Sequence, residues 1–176
     1  MKVLLVYETV EGQTQKIADF VAKQIRSVGQ KVQLFNTNGK LETLSFDGID
    51  RVVLAAPVHE RRHPKGFEAF ISANLSELKV RQTLLISVSL KAAFPESVEE
   101  AQDYLTEMEM RTGFEPSKEV LVAGAVRADS YGYYESQVIK NVALAGRNIE
   151  LTDGIREFTD WDALGLQITE FLQTEL

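Results

Sequence analysis

The chain begins with an apolar run that ends in a short polar loop, and this junction most strongly constrains its fold. Residues Val3 to Tyr7 are all apolar, which is typical of a parallel strand buried on both faces. The polar loop Glu8–Gln13 follows, and a helical pattern begins at Thr14. A strand, a short loop and a helix in this order predict the first half of a βαβ unit.

The loop leads directly into a helix N terminus, where free backbone N–H groups and the helix dipole suit a phosphate. Its pattern, T-x-x-G-x-T, places the hydroxyls of Thr9 and Thr14 on either side of Gly12. The lysine of a nucleoside-triphosphate loop and the three glycines of a dinucleotide fingerprint are both absent. The pattern therefore predicts that amides and hydroxyls hold the phosphate of a mononucleotide without a cation. A tight turn in which Thr9 or Thr14 caps the helix is the alternative.

Strand and helix patterns alternate along the whole chain. Further strands are predicted at 31–35, 51–56, 82–88 and 119–125, and helices at 14–28, after Pro64, after Pro95 and from Asp160. Crossovers of this size predict an α/β fold with a parallel sheet covered on both faces. No linker or repeat interrupts the pattern, so we expect one domain over residues 1–176, with an extended segment at about 126–159 before the last helix.

Composition excludes several functional classes. The chain has no cysteine, so disulfides, iron–sulfur clusters and cysteine-ligated zinc are excluded, and redox chemistry would need a bound cofactor. A net charge of −7 disfavours nucleic-acid binding. No apolar run approaches the roughly 20 residues of a membrane-spanning helix, and the N terminus does not resemble a signal peptide. A cytoplasmic protein is expected.

Two further loops leave strands at the edge where doubly wound sheets bind ligands. Counting Glu8–Gln13 as the first loop, the second loop is Pro57–Lys65, which contains both histidines, His59 and His63, and the third loop is Ser89–Phe94. The loop Pro57–Lys65 either lines a binding site with its cationic side chains or is a solvated loop. A metal site is disfavoured because Pro64 follows the second histidine and no third ligand is evident.

Several stretches carry a family resemblance. Residues Tyr7–Thr14, followed by Ile17 and Ala18, resemble the FMN-phosphate loop of flavodoxins. Residues Ser87–Lys91 and Phe158–Trp161 resemble the flavodoxin-type, menaquinone-dependent protoporphyrinogen IX dehydrogenases. This resemblance extends over nearly all of the chain. It implies a flavodoxin-like three-layer sandwich with a five-stranded parallel sheet of order 2-1-3-4-5, and FMN bound where the strand order reverses.

The resemblance also implies which residues hold FMN, in three groups. The phosphate loop contributes Thr9, Val10, Glu11, Gly12, Gln13 and Thr14. The loop beside the flavin ring contributes Pro57, Val58, His59, Glu60 and Arg61, and the loop at the pyrimidine edge of the ring contributes Ser87, Val88, Ser89, Leu90 and Lys91. The last group has a second interpretation, a strand end that caps the next helix. No catalytic acid or base is assigned; His59, Arg61 and Arg62 are candidates for ring electrostatics or for binding substrate carboxylates.

The implied function is an FMN-dependent oxidoreductase that passes electrons from a reduced tetrapyrrole to a quinone. An electron carrier that docks on a redox partner protein is the alternative, and the acidic charge suits a basic partner. A domain that no longer holds FMN is a third possibility, kept open by Glu8 and Val10.

The segment at 126–159 bears on substrate and membrane contact. Its aromatic residues Tyr131, Tyr133 and Tyr134 suit a flat porphyrin or quinone, although packing of an extra helix at 137–145 explains them as well. Acidic residues offset its basic residues, so attraction to anionic lipid should be weak. We therefore expect no nucleic-acid partner and at most peripheral contact with the inner face of the cell membrane.

Overall fold

A computed structural model describes residues 1–38, 44–127 and 154–175. The strands are β1 Lys2–Tyr7, β2 Lys31–Asn36, β3 Arg51–Pro57, β4 Gln82–Ser89, β5 Lys118–Ala123, β6 Ala125–Arg127 and β7 Ile155–Glu157. The helices are α1 Gln13–Ser27, α2 Lys65–Ala73, α3 Leu75–Lys79, α4 Val98–Thr112 and α5 Trp161–Gln173. Two short 3-10 turns, Lys91–Ala93 and Pro95–Ser97, precede α4.

The first five strands form one parallel sheet in the order β2-β1-β3-β4-β5. The predicted fold class and strand order are therefore confirmed. The strand order reverses between β1 and β3, which places the carboxyl ends of these two strands side by side at the edge where ligands bind in such sheets.

The core is divided between the two faces of the sheet. Leu5 of β1 packs in the cluster formed with α1 and α5, and Leu4 packs in the cluster formed with α2 and α4. Both side chains are fully buried, which confirms that β1 is covered on both faces. Each such side chain contributes about 1.5–3 kcal/mol to folding relative to an exposed one, so the strand that leads into the polar loop is held rigidly.

The predicted helix ends are largely confirmed. The side chain of Asp160 caps α5 by accepting a hydrogen bond from the backbone N–H of Ala163 over 2.9 Å. Gly113 ends α4 in the left-handed conformation, with φ at 69°, as expected for a glycine at this position. Pro95 differs from the prediction, because it begins a 3-10 turn and α4 starts only at Val98.

The chain after β5 differs more from the prediction. The predicted strand 119–125 is interrupted at Gly124, whose backbone N–H donates to the carbonyl of Ser89 over 3.1 Å. β6 then pairs antiparallel with β7 in a separate two-stranded sheet. This pair of strands is here called the hairpin, although residues 128–154 separate its strands in the chain. The predicted helix at 137–145 and the tyrosine cluster lie outside the described residues. No helix in the described parts of the chain is long and apolar enough to cross a membrane.

Candidate functional site

Three predicted loops meet at the carboxyl ends of β1, β3 and β4. The backbone N–H of Val58 donates to the carbonyl of Val88 over 2.8 Å and so joins the second loop to the end of β4, just before the third loop. The ring of His59 lies 3.7 Å from the carboxylate of Glu11, between the atoms Nε2 and Oε1, and so joins the second loop to the first. The three groups of predicted cofactor residues therefore lie next to one another at this edge of the sheet.

The first loop turns sharply at Gly12, which has φ at 92° and occupies the N-cap position of α1. Its backbone N–H donates to the hydroxyl of Thr9 over 3.1 Å. No side chain among the described residues caps the helix, so neither Thr9 nor Thr14 has the capping role that the alternative interpretation gave it. The first N–H groups of the helix keep the arrangement that binds anions.

The hairpin lies against this loop, which the sequence did not indicate. The side-chain amide of Gln13 donates to the carboxylate of Glu157 and to the hydroxyl of Thr159, each over 3.0 Å. Glu157 also accepts hydrogen bonds from Lys16 over 2.5 Å and from the Trp161 indole over 2.8 Å. Burial raises the pKa of Glu157, but the hydrogen bonds from Lys16, Gln13 and Trp161 outweigh it, and the pKa is held below its ordinary value.

A cation lies beside the loop, although none was expected there. The Nη2 atom of Arg127 donates to the side-chain oxygen of Gln13 over 3.4 Å. Its Nη1 atom lies 4.0 Å from the position that a Cβ atom on Gly12 would occupy. The sequence missed this contact because pairing of β6 with β7 brings Arg127 back to the loop, and no local pattern indicates that pairing.

The second loop contains a tight turn in which the backbone N–H and carbonyl groups of His59 and Arg62 exchange hydrogen bonds, both of 2.9 Å. The two residues between them, Glu60 and Arg61, have positive φ values of 48° and 65°. Non-glycine residues in this region carry conformational strain that the surrounding structure must offset.

Ion pairs hold the cations of this turn. Arg61 pairs with Glu100 of α4 over 3.2 Å, and Lys91 of the third loop pairs with the same carboxylate over 2.8 Å. Arg62 instead pairs over 2.8 Å with Glu68, whose side chain is only 7% exposed. The two arginines therefore diverge: Arg61 lies with the third loop, and Arg62 lies against the base of α2.

The second histidine, His63, is buried next to β4. The Nε2 atom of His63 lies 2.9 Å from the hydroxyl of Ser87, and its Nδ1 atom has no partner among the described residues. Burial lowers the pKa of His63 to about 4, an effect partly opposed by Glu68 and aided by Arg111, so the ring is neutral at pH 7. No group of three or more metal-binding side chains occurs among the described residues.

The remaining predicted residues line the same edge. Ser87, Val88 and Ser89 are buried, and Leu90 is half-buried. The Ser89 hydroxyl accepts a hydrogen bond from the backbone N–H of Ala92 over 3.3 Å, in the 3-10 turn Lys91–Ala93, and it does not cap α4, whose N-cap residue is Ser97. Between the first and second loops lies a cavity of about 370 Å³, lined by Val10, His59, Glu60, Arg62, His63, Pro64 and Lys65.

Known proteins are similar in sequence to most of this chain. Protoporphyrinogen IX dehydrogenase [quinone] of Escherichia coli K12 is 27% identical to this chain over 166 residues, which cover 92% of this chain and 90% of that protein.

Solved structures show a similar fold. Oxidised flavodoxin 1 of Bacillus cereus matches with a TM-score of 0.60 at 17% identity, covering all of both chains. A short-chain flavodoxin associated with a bacterial microcompartment matches with a TM-score of 0.50 at 16% identity, over 69% of this chain and 83% of that one.

A family model describing a flavodoxin domain matches residues 4–148, which is most of the chain and includes all three loops. The parallel sheet, its strand order and the uncapped turn at Gly12 are consistent with that match. The chain therefore belongs to the flavodoxin family, in agreement with the fold and the FMN cofactor that its sequence predicts.

Proposed function

We propose that this chain binds FMN non-covalently and oxidises a reduced tetrapyrrole of the protoporphyrinogen type, passing the electrons to a quinone. FMN, when bound, supplies the redox chemistry, and the protein supplies binding, orientation and electrostatics. The observation that carries the choice of substrate is the extent of the match to the E. coli dehydrogenase. The match covers 92% of this chain. The unmatched remainder is shorter than the segment at 126–159, so the match includes at least part of that segment.

The phosphate end of the site suits FMN. In the described parts of the chain, apart from the two neighbouring residues, only the Nη1 atom of Arg127, at 4.0 Å, lies within 4 Å of the position that a Cβ atom on Gly12 would occupy, so the glycine leaves open space beside the turn. Apart from the bond that Thr9 accepts from Gly12, no side chain among the described residues caps the N terminus of α1, which therefore supplies backbone donors. A phosphate monoester carries negative charge at neutral pH, which the helix dipole favours by about 0.3–1 kcal/mol. Gly12 and the first turn of α1 would therefore hold the phosphate.

The ring end of the site would be formed by the second and third loops. The hydrogen bond from Val58 to Val88 joins the second loop to the end of β4. The buried contact between His63 and Ser87 is a second link between the same two segments. Backbone groups of these loops would orient the flavin ring. His63 is neutral at pH 7, so it would act through shape and hydrogen bonding rather than through charge.

Cations beside the ring loops suit a substrate that bears carboxylates. Arg61 and Lys91 converge on Glu100, and hydrogen bonds from Lys91 and then Tyr104 lower the pKa of this carboxylate. Arginine binds carboxylates in a bidentate geometry. A propionate group of a tetrapyrrole would be recognised here by competing with Glu100 for Arg61.

An electron carrier without a substrate of its own is the second candidate. The net charge of −7 favours it, because an acidic protein docks readily on a basic redox partner. The two candidates differ in what reduces the flavin. A dehydrogenase accepts electrons from the tetrapyrrole itself, whereas a carrier needs a reductase protein.

Anaerobic mixing distinguishes them. FMN-loaded protein is combined with protoporphyrinogen IX and a soluble menaquinone analogue, and porphyrin fluorescence is followed together with quinone absorbance. The dehydrogenase proposal expects porphyrin to form in step with quinone reduction, at least tenfold faster than with the same concentration of free FMN. Equal rates for protein-bound and free FMN would contradict it, and reduction by a flavodoxin reductase alone would favour the carrier.

A further inference from the structure

The guanidinium group of Arg127 lies at the phosphate end of the proposed FMN site. Its Nη1 atom is 4.0 Å from the Cβ position on Gly12, and its Nη2 atom reaches the neutral side-chain oxygen of Gln13 over a long 3.4 Å. Its Nε atom is buried and has no partner among the described residues. Buried polar groups are almost always satisfied, so an unsatisfied one calls for a partner outside the protein atoms.

The charge of Arg127 is likewise unbalanced within the described parts of the chain. No carboxylate forms an ion pair with it there, in contrast to Lys16, Arg61, Arg62 and Arg111, which all do. The nearby carboxylate of Glu157 is already bound by Lys16, Gln13 and Trp161. The guanidinium group therefore adds a positive charge to a place that the α1 dipole already makes positive.

Two positive sources at one place are unfavourable unless an anion lies between them. The uncapped helix and Arg127 belong to separate elements, α1 and β6, and they meet only because the hairpin folds back on the loop. The contact from Arg127 to Gln13 and the contact from Gln13 to Glu157 fix this geometry.

We propose that Arg127 binds the phosphate of FMN and makes the site select FMN over riboflavin. This inference rests on the proposed function, since it requires a flavin phosphate at the turn of Gly12. A charge-assisted hydrogen bond to phosphate is roughly twice as strong as a neutral one, so the side chain should matter for FMN. It should not matter for riboflavin, which has the same ring and ribityl chain but no phosphate.

The test is a pair of affinities. Flavin fluorescence is titrated with apoprotein for FMN and for riboflavin, using wild type and Arg127→Met. The proposal expects the substitution to weaken FMN binding at least tenfold and to change riboflavin binding less than twofold. Arg127→Lys should recover part of the loss, because it restores the charge but not the planar fork.

The control variant is Arg156→Met. Arg156 lies on the other strand of the hairpin, opposite Val126, and its guanidinium group lies over the ring of Phe158 at 5.6 Å. Its removal tests for loss of hairpin structure and of general positive charge, and it should leave the ratio of FMN to riboflavin affinity unchanged. If Arg127→Met does not fold, as judged by far-UV circular dichroism, Arg127→Gln is measured against the same expectations.

Four results would overturn the inference: equal weakening of both flavins, no weakening of either, selective weakening of riboflavin, or equal loss of selectivity in the control. Failure of the proposed function is distinguishable: if the chain does not bind FMN, wild-type protein binds neither flavin, and if only the proposed substrate is wrong, wild-type protein still binds FMN and fails the anaerobic mixing experiment. Salt provides a second readout: added NaCl should weaken FMN binding more steeply in wild type than in Arg127→Met. Equal salt slopes would also overturn it.

Discussion

The side-chain amide of Gln13 lies 3.0 Å from the carboxylate of Glu157, a contact between residues 144 positions apart in the chain. It fastens the hairpin to the first turn of α1. Glu157 accepts two further hydrogen bonds, from Lys16 and Trp161. One carboxylate therefore organises the junction between the loop after β1 and the chain that leads into α5.

Replacing this carboxylate should destabilise the protein at neutral pH. Glu157→Gln removes charge-assisted hydrogen bonds, and we expect a loss of about 1–2 kcal/mol in the free energy of unfolding at pH 7. The folded-state pKa of Glu157 lies below its ordinary value of 4.5. Its stabilisation is therefore present above pH 4.5 and is lost as the pH falls through the lowered pKa. Urea unfolding at pH 7 and pH 3 measures the difference.

The control for this prediction is Glu170→Gln. Glu170 also accepts a lysine ion pair, from Lys118 over 2.8 Å, but its side chain is 62% exposed. Exposed pairs contribute little, so we expect a change below about 0.5 kcal/mol. Equal losses for the two variants would show that the junction at Glu157 has no special role.

Buried His63 should make stability depend on pH in the mildly acidic range. Burial lowers its folded-state pKa to about 4, so the unfolded chain binds a proton at this residue between pH 6.5 and 4 while the folded protein does not. Stability is then lost as the pH falls. We expect this histidine to remove about 2 kcal/mol between pH 7 and pH 5, and His63→Asn should abolish that part of the loss.

The only other histidine of the chain, His59, provides the control. Its side chain is 41% exposed, and His59→Asn should leave the wild-type change in stability between pH 7 and pH 5 in place. Urea unfolding of the wild type, His63→Asn and His59→Asn at pH 7 and pH 5 measures the change in stability of each protein. If His63→Asn lost as much stability between pH 7 and pH 5 as the wild type does, the result would contradict the burial of the His63 ring.

The carboxylate of Glu68 should hold the second loop against α4. It accepts hydrogen bonds from Arg62 over 2.8 Å and from Arg111 over 2.8 and 3.2 Å. Burial raises its pKa, but Arg111 and Arg62 outweigh that effect and lower it. Glu68→Gln leaves both arginines without their anion, and we expect a loss of about 2 kcal/mol at pH 7, which shrinks as the pH falls below 4.5.

Glu107→Gln is the matched control for Glu68. Glu107 also pairs with Arg111, at 3.6 Å, but its side chain is 48% exposed. Its replacement should change the free energy of unfolding by less than about 0.5 kcal/mol. Thermal or urea unfolding of both variants measures the two changes. A larger loss of stability in Glu107→Gln than in Glu68→Gln would contradict the prediction.

The parts of the fold that sequence predicts here are those set by short-range patterns. The run Val3–Tyr7 is apolar at every position, and its burial on both faces follows from that alone. The cap at Asp160 follows from one side chain and its near neighbours in sequence. These features depend on local chemistry, which the sequence displays directly.

The parts that sequence does not predict depend on contacts between distant segments. Three-residue strands such as β6 and β7 are too short to have a period, so the hairpin gives no local signal. The position of Arg127 beside Gly12 follows from that hairpin. The divergence of Arg61 and Arg62 is likewise decided by acidic partners on α4 and α2, respectively.

The central claim is that the turn at Gly12 binds the phosphate of FMN, and a pair of glycine variants tests it. Gly12 has φ at 92°, and the nearest atom to a Cβ there is Nη1 of Arg127 at 4.0 Å. The protein itself therefore has room for the first carbon of a valine. Gly48 also has a positive φ, 68°, with nothing within 4 Å of a Cβ, and it lies in the loop before β3. Both valine variants carry backbone strain.

The most direct measurement is an FMN titration of the two variants and the wild type, followed by quenching of flavin fluorescence. We predict that Gly12→Val weakens FMN binding at least 100-fold, while Gly48→Val stays within threefold of wild type. Binding of FMN by Gly12→Val with wild-type affinity would contradict the placement of the phosphate at this turn.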